Sequence, residues 1–144
     1  MAEVLLRAAL PLDTDWRVIS AGTSATPGSA ASDASCDVIK EYGLSLDSHR
    51  SQLLTQDLVE DSAMIVAMTQ RHIEKILHCV PSARDRVYLM RAFDATAPKG
   101  SDVFDPYCGT LENYRACRDM IQQALPGLVH TLTQLCTEEN GEKI

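Results

Sequence analysis

Apolar positions along the chain change their period several times, and each change predicts a different element. Ala2 to Leu10 has helical composition and stops before Pro11, which predicts a helix. No capping residue precedes it, so the pattern starts in mid-element. Trp16-Arg17-Val18-Ile19-Ser20 alternates and runs into Ala21-Gly22-Thr23, as a short strand entering a loop does. Ser29 to Tyr42 places Ala31, Val38, Ile39 and Tyr42 near one helical face, with Gly43 just past the end as a cap. Leu46 then opens a polar loop. Asp61 to Met68 is a continuous apolar run of strand length, Val87 to Met90 is a shorter one, and a helix from Gln70 to His78 lies between them. Continuous runs belong to strands covered on both faces, as in a parallel sheet. Leu111 to about Leu135 repeats near helical spacing around Pro126, which predicts one kinked helix or two.

Helix, strand, helix, strand, helix, strand, helix is an α/β order, and the expected architecture is a three-layer α/β/α fold on a short parallel sheet. Such sheets carry their sites at the carboxyl ends of the strands, which puts Ser20 to Thr23 and Met68-Thr69 at the site edge. Three short strands are few for this many helices, and a first helix normally follows a strand. The pattern anticipates an element upstream of Met1.

Composition narrows the class. With 144 residues, 45% of them hydrophobic, and no Pro/Gly/Ser-rich linker, residues 1–144 are expected to form a single domain. A formal net charge of -7 argues against nucleic acid or an anionic membrane as the main partner, since both are bound through excess Lys and Arg. The first residues are too short and too charged for a signal peptide, and no apolar run approaches the roughly 20 residues of a membrane span. A cytoplasmic location is the expectation. Five cysteines without a Cys-x-x-Cys pair or paired His/Cys spacing fit reduced thiols, with no metal and no cofactor. His72, His78 and His130 fall on predicted helices without partners at ligand spacing and read as solvated or packing residues. Arg50 and Arg118 read as salt-bridging residues of an acidic surface, and Asp57, Glu60 and Asp61 as a solvated face.

Val103-Phe104-Asp105-Pro106-Tyr107 is the most informative segment, because it is similar to the acid loop of a cysteine phosphatase. Such an enzyme needs a thiolate and an arginine at the two ends of one loop, with five residues between them, so that backbone N–H groups converge on the phosphate oxygens. Six positions on from Cys36, Cys79, Cys108 and Cys117 stand Tyr42, Asp85, Tyr114 and Gln123, and no arginine follows Cys136. Read alone, Asp-Pro is a loop opener, because Asp favours turns and Pro fixes φ.

Five segments in register change that reading. Met1-Ala-Glu-Val-Leu-Leu-Arg, Trp16 to Thr23, Ser48-His49-Arg50-Ser51-Gln52-Leu53, Met64 to Thr69, and Asp105-Pro106-Tyr107 followed by Tyr114 and Arg118 match one family in order and spacing. The chain resembles the low-molecular-weight protein tyrosine phosphatases from just after their phosphate loop to the end. The resemblance implies a four-stranded parallel sheet whose central first strand, and the Cys-x5-Arg-Ser-Pro loop after it, come immediately before Met1. It implies that Asp105 is the general acid and then the general base of a cysteinyl-phosphate mechanism. By the same resemblance Ser20 and His49 support the phosphate loop, and Tyr107 forms an aromatic wall beside the substrate, where a core or rim tyrosine is the other reading. The partner implied is a phosphorylated protein. Residues 1–144 by themselves are expected to lack thiolate-dependent hydrolysis; a non-catalytic relative that binds a partner is the alternative.

Within the family, Asp105-Pro-Tyr-Cys-Gly-Thr-Leu-Glu-Asn-Tyr resembles the bacterial branch that includes protein-arginine phosphatases, so phosphotyrosine and phosphoarginine both stay open. Thr26 stands where several tyrosine-specific relatives carry a bulky aromatic. Cys79 is alone in the region where arsenate reductases of this fold place two relay cysteines, which disfavours that chemistry.

Overall fold

The structure is a computed structural model that describes the backbone of residues 1–141 and the side chains of residues 1–136. Helix α1, Ala2–Ala9, is built from strong helix formers and joined by a Glu3–Arg7 pair at 2.8 Å. It ends where Leu10 turns extended before Pro11. Helix α2, Asp33–Lys40, starts at Ser32, whose hydroxyl accepts the Ser35 N–H. It is shorter than the Ser29–Tyr42 pattern because Ser32 takes the capping role inside it. Helix α3, Gln56–Glu60, is too short to show a periodicity and has no counterpart in the sequence pattern; Thr55 caps it. Strand β1 is Ile65–Ala67, helix α4 is Gln70–Cys79 with Thr69 as its cap, and strand β2 is Val87–Leu89. Short 3-10 turns at Pro81–Arg86 and Met90–Phe93 flank β2. Helix α5, Leu111–Gly141, runs unbroken through Pro126, the first of the two outcomes the sequence allows.

β1 and β2 pair in parallel, with Ile65 opposite Val87 and Ala67 opposite Leu89. Side chains of β1 alternate between two cores. Val66, with Met64 and Met68, packs against a cluster formed by α1, α2 and α5, in which Val38, Ile39, Met90 and Leu128 are fully buried. Ile65 and Ala67 face the opposite cluster of Val59, Ile76, Val80 and Ala83. The sheet therefore lies between helices α1, α2 and α5 on one side and α3 and α4 on the other, which is the expected α/β layering.

Trp16 to Ser20 departs from expectation. The segment is extended, with Trp16, Val18 and Ser20 half-buried and Arg17 and Ile19 exposed, yet it pairs with no strand among the described residues. Its anchors are the Trp16 indole N–H on the Leu132 carbonyl at 3.1 Å and the Arg7 guanidinium on the Val18 carbonyl at 2.5 Å. The alternation is real, but a strand also needs a neighbour to accept its N–H groups. Just beyond, Gly22 makes an isolated parallel bridge with Leu53.

Candidate functional site

The carboxyl end of β1 carries the loop from Val103 to Tyr107. The Met68 carbonyl accepts the Val103 N–H at 2.8 Å, and Asp102 Oδ1 accepts the Gln70 N–H at the start of α4, also at 2.8 Å. Two residues further, Asp105 Oδ1 accepts the Tyr107 N–H at 3.0 Å, an Asx turn that holds the carboxylate in one orientation. Asp105 is thus both a loop opener and a solvent-exposed carboxylate at the sheet edge. The loop closes through Gly109, whose N–H donates to the Pro106 carbonyl at 2.8 Å. A Cβ at Gly109 would lie 2.8 Å from both that carbonyl oxygen and Asn113 Oδ1, so only glycine lets the backbone pass. Thr110 and Asn113 then cap α5 reciprocally: the Asn113 side chain accepts the Thr110 N–H at 2.9 Å, and the Thr110 hydroxyl accepts the Asn113 N–H at 3.3 Å.

Tyr107 is 77% exposed, so it is not a core tyrosine. Cys108, next to it, adopts the left-handed backbone at φ 60 and is exposed.

Ser20 and His49 come together at a second place. Glu3 Oε2 accepts the Ser20 hydroxyl at 2.5 Å and lies 3.7 Å from His49 Nδ1. Gln52 Nε2 donates to the Ser20 carbonyl at 2.8 Å, and the Gly22 N–H donates to the Gln52 carbonyl at 2.9 Å, which laces segment 20–22 to segment 49–54. Glu3, Ser20, His49 and Gln52, with Arg7, Ser45, Ser48 and Arg50, line a polar cavity of about 240 Å³. Asp105 does not line it. Arg50 Nη1 donates to the Asp47 and His49 carbonyls at 2.9 and 2.7 Å.

The Met1 ammonium is held below its ordinary value mainly by burial, and the charges of Glu3, Cys117 and Cys36 oppose that shift. Burial pushes the Cys117 thiol up to about 11; the Met1 ammonium pulls it down and the Asp105 charge pushes it further up. Cys117 thus senses Asp105 and Met1 together, while Met1 senses Glu3. The N–H groups in the first turn of α1 have no side-chain cap. Uncapped helix amides and the positive end of the helix dipole together favour an anion.

Arg118 is not on the surface, as its sequence setting suggested. It is 6% exposed and holds the Val38 carbonyl at 3.1 Å, Asp119 at 2.9 Å and Glu41, with its guanidinium 4.6 Å from the Tyr42 ring centre. Its role is to fix α5 to α2. Thr26 is exposed, its carbonyl accepting the Ser29 and Ser51 hydroxyls. Glu3 and Gln52 carry no individual signal in the sequence beyond the i, i+4 spacing of Glu3 to Arg7. Among the described residues no three His, Cys, Asp or Glu side chains converge as metal ligands, and no helix is long and apolar enough to cross a membrane.

Comparison with known proteins agrees with this geometry. The family described as low molecular weight phosphotyrosine protein phosphatase matches residues 1–138. A probable low molecular weight protein-tyrosine-phosphatase, AmsI of Erwinia amylovora, is 30% identical over 132 residues, covering 92% of this chain and 87% of that protein. A protein-arginine-phosphatase of Geobacillus stearothermophilus is 33% identical over 115 residues, covering 80% of this chain and 76% of the relative. The solved structure of the YwlE arginine phosphatase from Geobacillus stearothermophilus superimposes with a TM-score of 0.83 at 32% identity, covering 95% of this chain and 86% of that one. With nearly its whole length matched and the loop that carries Asp105 held at the carboxyl end of β1, the chain belongs to the low-molecular-weight phosphotyrosine protein phosphatase family.

Proposed function

We propose that this protein is a phosphomonoester hydrolase acting on phosphorylated proteins in the cytoplasm. Asp105 is its proton donor and acceptor, and a segment N-terminal to Met1 supplies a nucleophilic cysteine and a phosphate-binding arginine. The observation that carries the reading is Asp105 itself: an exposed carboxylate, oriented by its own turn, on a loop hydrogen-bonded to the end of β1. A further feature supports it: Trp16 to Ser20 is extended and, among the described residues, has no strand partner.

In this mechanism the thiolate attacks phosphorus as the bond from phosphorus to the leaving atom breaks, the oxygen of a phosphotyrosine or the nitrogen of a phosphoarginine, and Asp105 gives that atom its proton. Water then attacks the phosphocysteine while the Asp105 carboxylate takes a proton from it. The phosphorus–sulfur bond breaks, and inorganic phosphate and the thiolate are released. Oδ1 is occupied by the Tyr107 N–H, which leaves Oδ2 to move the proton. Tyr107, projecting beside it, offers a ring face to the ring of an aryl phosphoester or to the guanidinium of a phosphoarginine. The arginine phosphatase and the tyrosine phosphatase among the relatives give both substrate classes a place in the test.

The test starts from the polypeptide as it occurs in its source, with its N-terminus sequenced and its hydrolysis of p-nitrophenyl phosphate, phosphotyrosine peptide and phosphoarginine peptide measured. We expect an upstream Cys-x5-Arg loop and activity that Asp105→Asn lowers by about 100-fold or more in kcat. Full activity in Asp105→Asn would remove Asp105 from the mechanism. A natural start at Met1 with no hydrolysis would make the protein a non-catalytic binding relative.

A further inference from the structure

We infer that the exposed face of α4 is a docking surface for acidic residues that flank the phosphorylated residue of a protein substrate; the inference rests on the phosphatase reading above. Arg71, Lys75 and His78 follow one another at i, i+4 and i+7, and all three are exposed. They lie opposite the side on which Ile73, Ile76 and Leu77 pack into the cluster around Val59. Arg71 and Lys75 are therefore one helical turn apart and about 40° apart around the axis, with Glu74 about 60° round from Arg71 at the margin of the stripe. Lys99 adds a cation near the start of α4. Its turn, closed by the Ser101 N–H on the Pro98 carbonyl at 3.2 Å, leads directly to Asp102, which holds the Gln70 N–H.

The chain has 20 acidic residues against 13 basic ones, so a cation has carboxylates at hand. Arg7, Arg91, Arg115 and Arg118 each hold one. Among the described residues Arg71, Lys75 and Lys99 hold none. Lys75 is oriented by hydroxyls instead: its Nζ donates to Thr23 Oγ1 at 3.4 Å and Ser24 Oγ at 3.5 Å, in the loop after Ser20. Hydroxyls aim an ammonium without cancelling its charge. Arg71 stands in the first turn of α4, where the helix dipole disfavours a cation, and no acidic residue shares that turn. The helix gains nothing from that charge; an anionic partner outside it does.

The stripe is continuous with the site. The Met68 carbonyl holds the Val103 N–H, and Asp102 caps Gln70, so the start of α4 and the loop that carries Asp105 share one end of β1. Asp105 is three residues beyond Asp102, a span of at most about 10 Å. Residues next to a phosphorylated one bound at Asp105 thus come within reach of Arg71 and Lys75. The amides at the helix start are already bonded, Gln70 to Asp102 and His72 to Thr69, so a partner meets the side chains. A long polyanion such as nucleic acid would also meet the net charge of -7, whereas a short acidic stretch meets this face alone.

The experiment uses the natural polypeptide and two peptides with the same phosphorylated residue, one flanked by glutamates and one by glutamines, made as a phosphotyrosine pair and as a phosphoarginine pair. Rates are read relative to p-nitrophenyl phosphate, which has no flanking residues. At low salt the glutamate-flanked peptide should show a kcat/KM about five- to tenfold higher, the effect of two exposed ion pairs, shrinking to under about twofold near 0.5 M salt. Arg71→Glu combined with Lys75→Glu should reverse the preference without lowering the thermal midpoint, because Arg71→Glu complements the helix end. A merely solvated face predicts equal rates for the two peptides; that result, or a preference that survives the double substitution, overturns the inference. Should the double variant fail to fold, Arg71→Gln with Lys75→Gln takes its place, and a preference that persists there refutes docking. A polypeptide that hydrolyses none of these substrates defeats the phosphatase reading, and binding then decides docking by itself. NMR amide shifts across residues 71–78 on adding the unphosphorylated glutamate-flanked peptide support it. No shifts, or shifts produced by a single-stranded oligonucleotide and not by the peptide, refute it.

Discussion

Glycine in the middle of a helix usually loses stability relative to alanine, by about 1 kcal/mol, so Gly127→Ala in α5 ought by local rules to stabilise the protein. The tertiary structure predicts the reverse. A Cβ at Gly127 would lie 2.2 Å from the Phe93 carbonyl oxygen, 3.2 Å from its carbon and 3.4 Å from its Cα. Carbon and carbonyl oxygen approach at about 3.3 Å even in favourable contacts, so the clash is more than about 1 Å deep. Both partners are backbone, and neither can swing aside. Relief requires α5 to lift from the Met90–Phe93 turn, where Met90, Ala124 and Leu128 are all buried. Overpacking of this kind costs about 3 kcal/mol, which leaves a net loss of about 2 kcal/mol after the helix-propensity gain. For a chain of 144 residues the unfolding entropy is roughly 0.3 kcal/mol/K, so the thermal midpoint should drop by about 7 °C. Circular dichroism melts of the two proteins measure this directly. An unchanged or raised midpoint would show that the Phe93–Gly127 contact yields easily and that the fixed seat of α5 is not as argued.

Two further predictions concern the same helix. Cys117 titrates near 11 in the folded protein, against an ordinary thiol value of 9.0, because burial disfavours the thiolate. The folded chain therefore keeps a proton that the unfolded chain releases. Stability from this group is complete below about pH 9 and falls by about 2 to 3 kcal/mol as pH rises from 9 to 11. Denaturant titrations across that range should show the fall in wild type and a flatter profile in Cys117→Ala; identical pH slopes would refute it. Arg118→Met removes the partner of the buried Val38 carbonyl, the bond to Glu41 and the stack on Tyr42, and should cost about 3 kcal/mol, or roughly 10 °C in thermal midpoint. A drop under about 3 °C would mean that α2 and α5 hold together without it.

The phosphatase reading joins these measurements to function, because α5 begins at the acid loop. Its cap at Thr110 and Asn113 sets where Asp105 stands, and its buried face carries Tyr114, Cys117 and Arg118. A shift of α5 at Gly127 should be felt at Asp105 as well as in stability.

Much of this protein was legible in its sequence, for reasons that are local. Helices α1, α4 and α5, both strands of the sheet and the α/β order follow from periodicity and caps, which act over a few residues. The turn at Asp105 was legible because Asp and Pro stand at adjacent positions. What the sequence hid depends on distance along the chain. Trp16 to Ser20 alternates as a strand should, yet whether it becomes one depends on a neighbour that its own residues do not specify. Arg118 looked like a surface residue until the fold placed the Val38 carbonyl, 80 positions away, in its path. Glu3 carried no reading of its own in the sequence; the fold brings the hydroxyl of Ser20, 17 positions away, onto its carboxylate. Periodicity and capping decided the elements; the direction of each buried hydrogen bond was decided only by the packing that brought donor and acceptor together and removed water as the alternative partner.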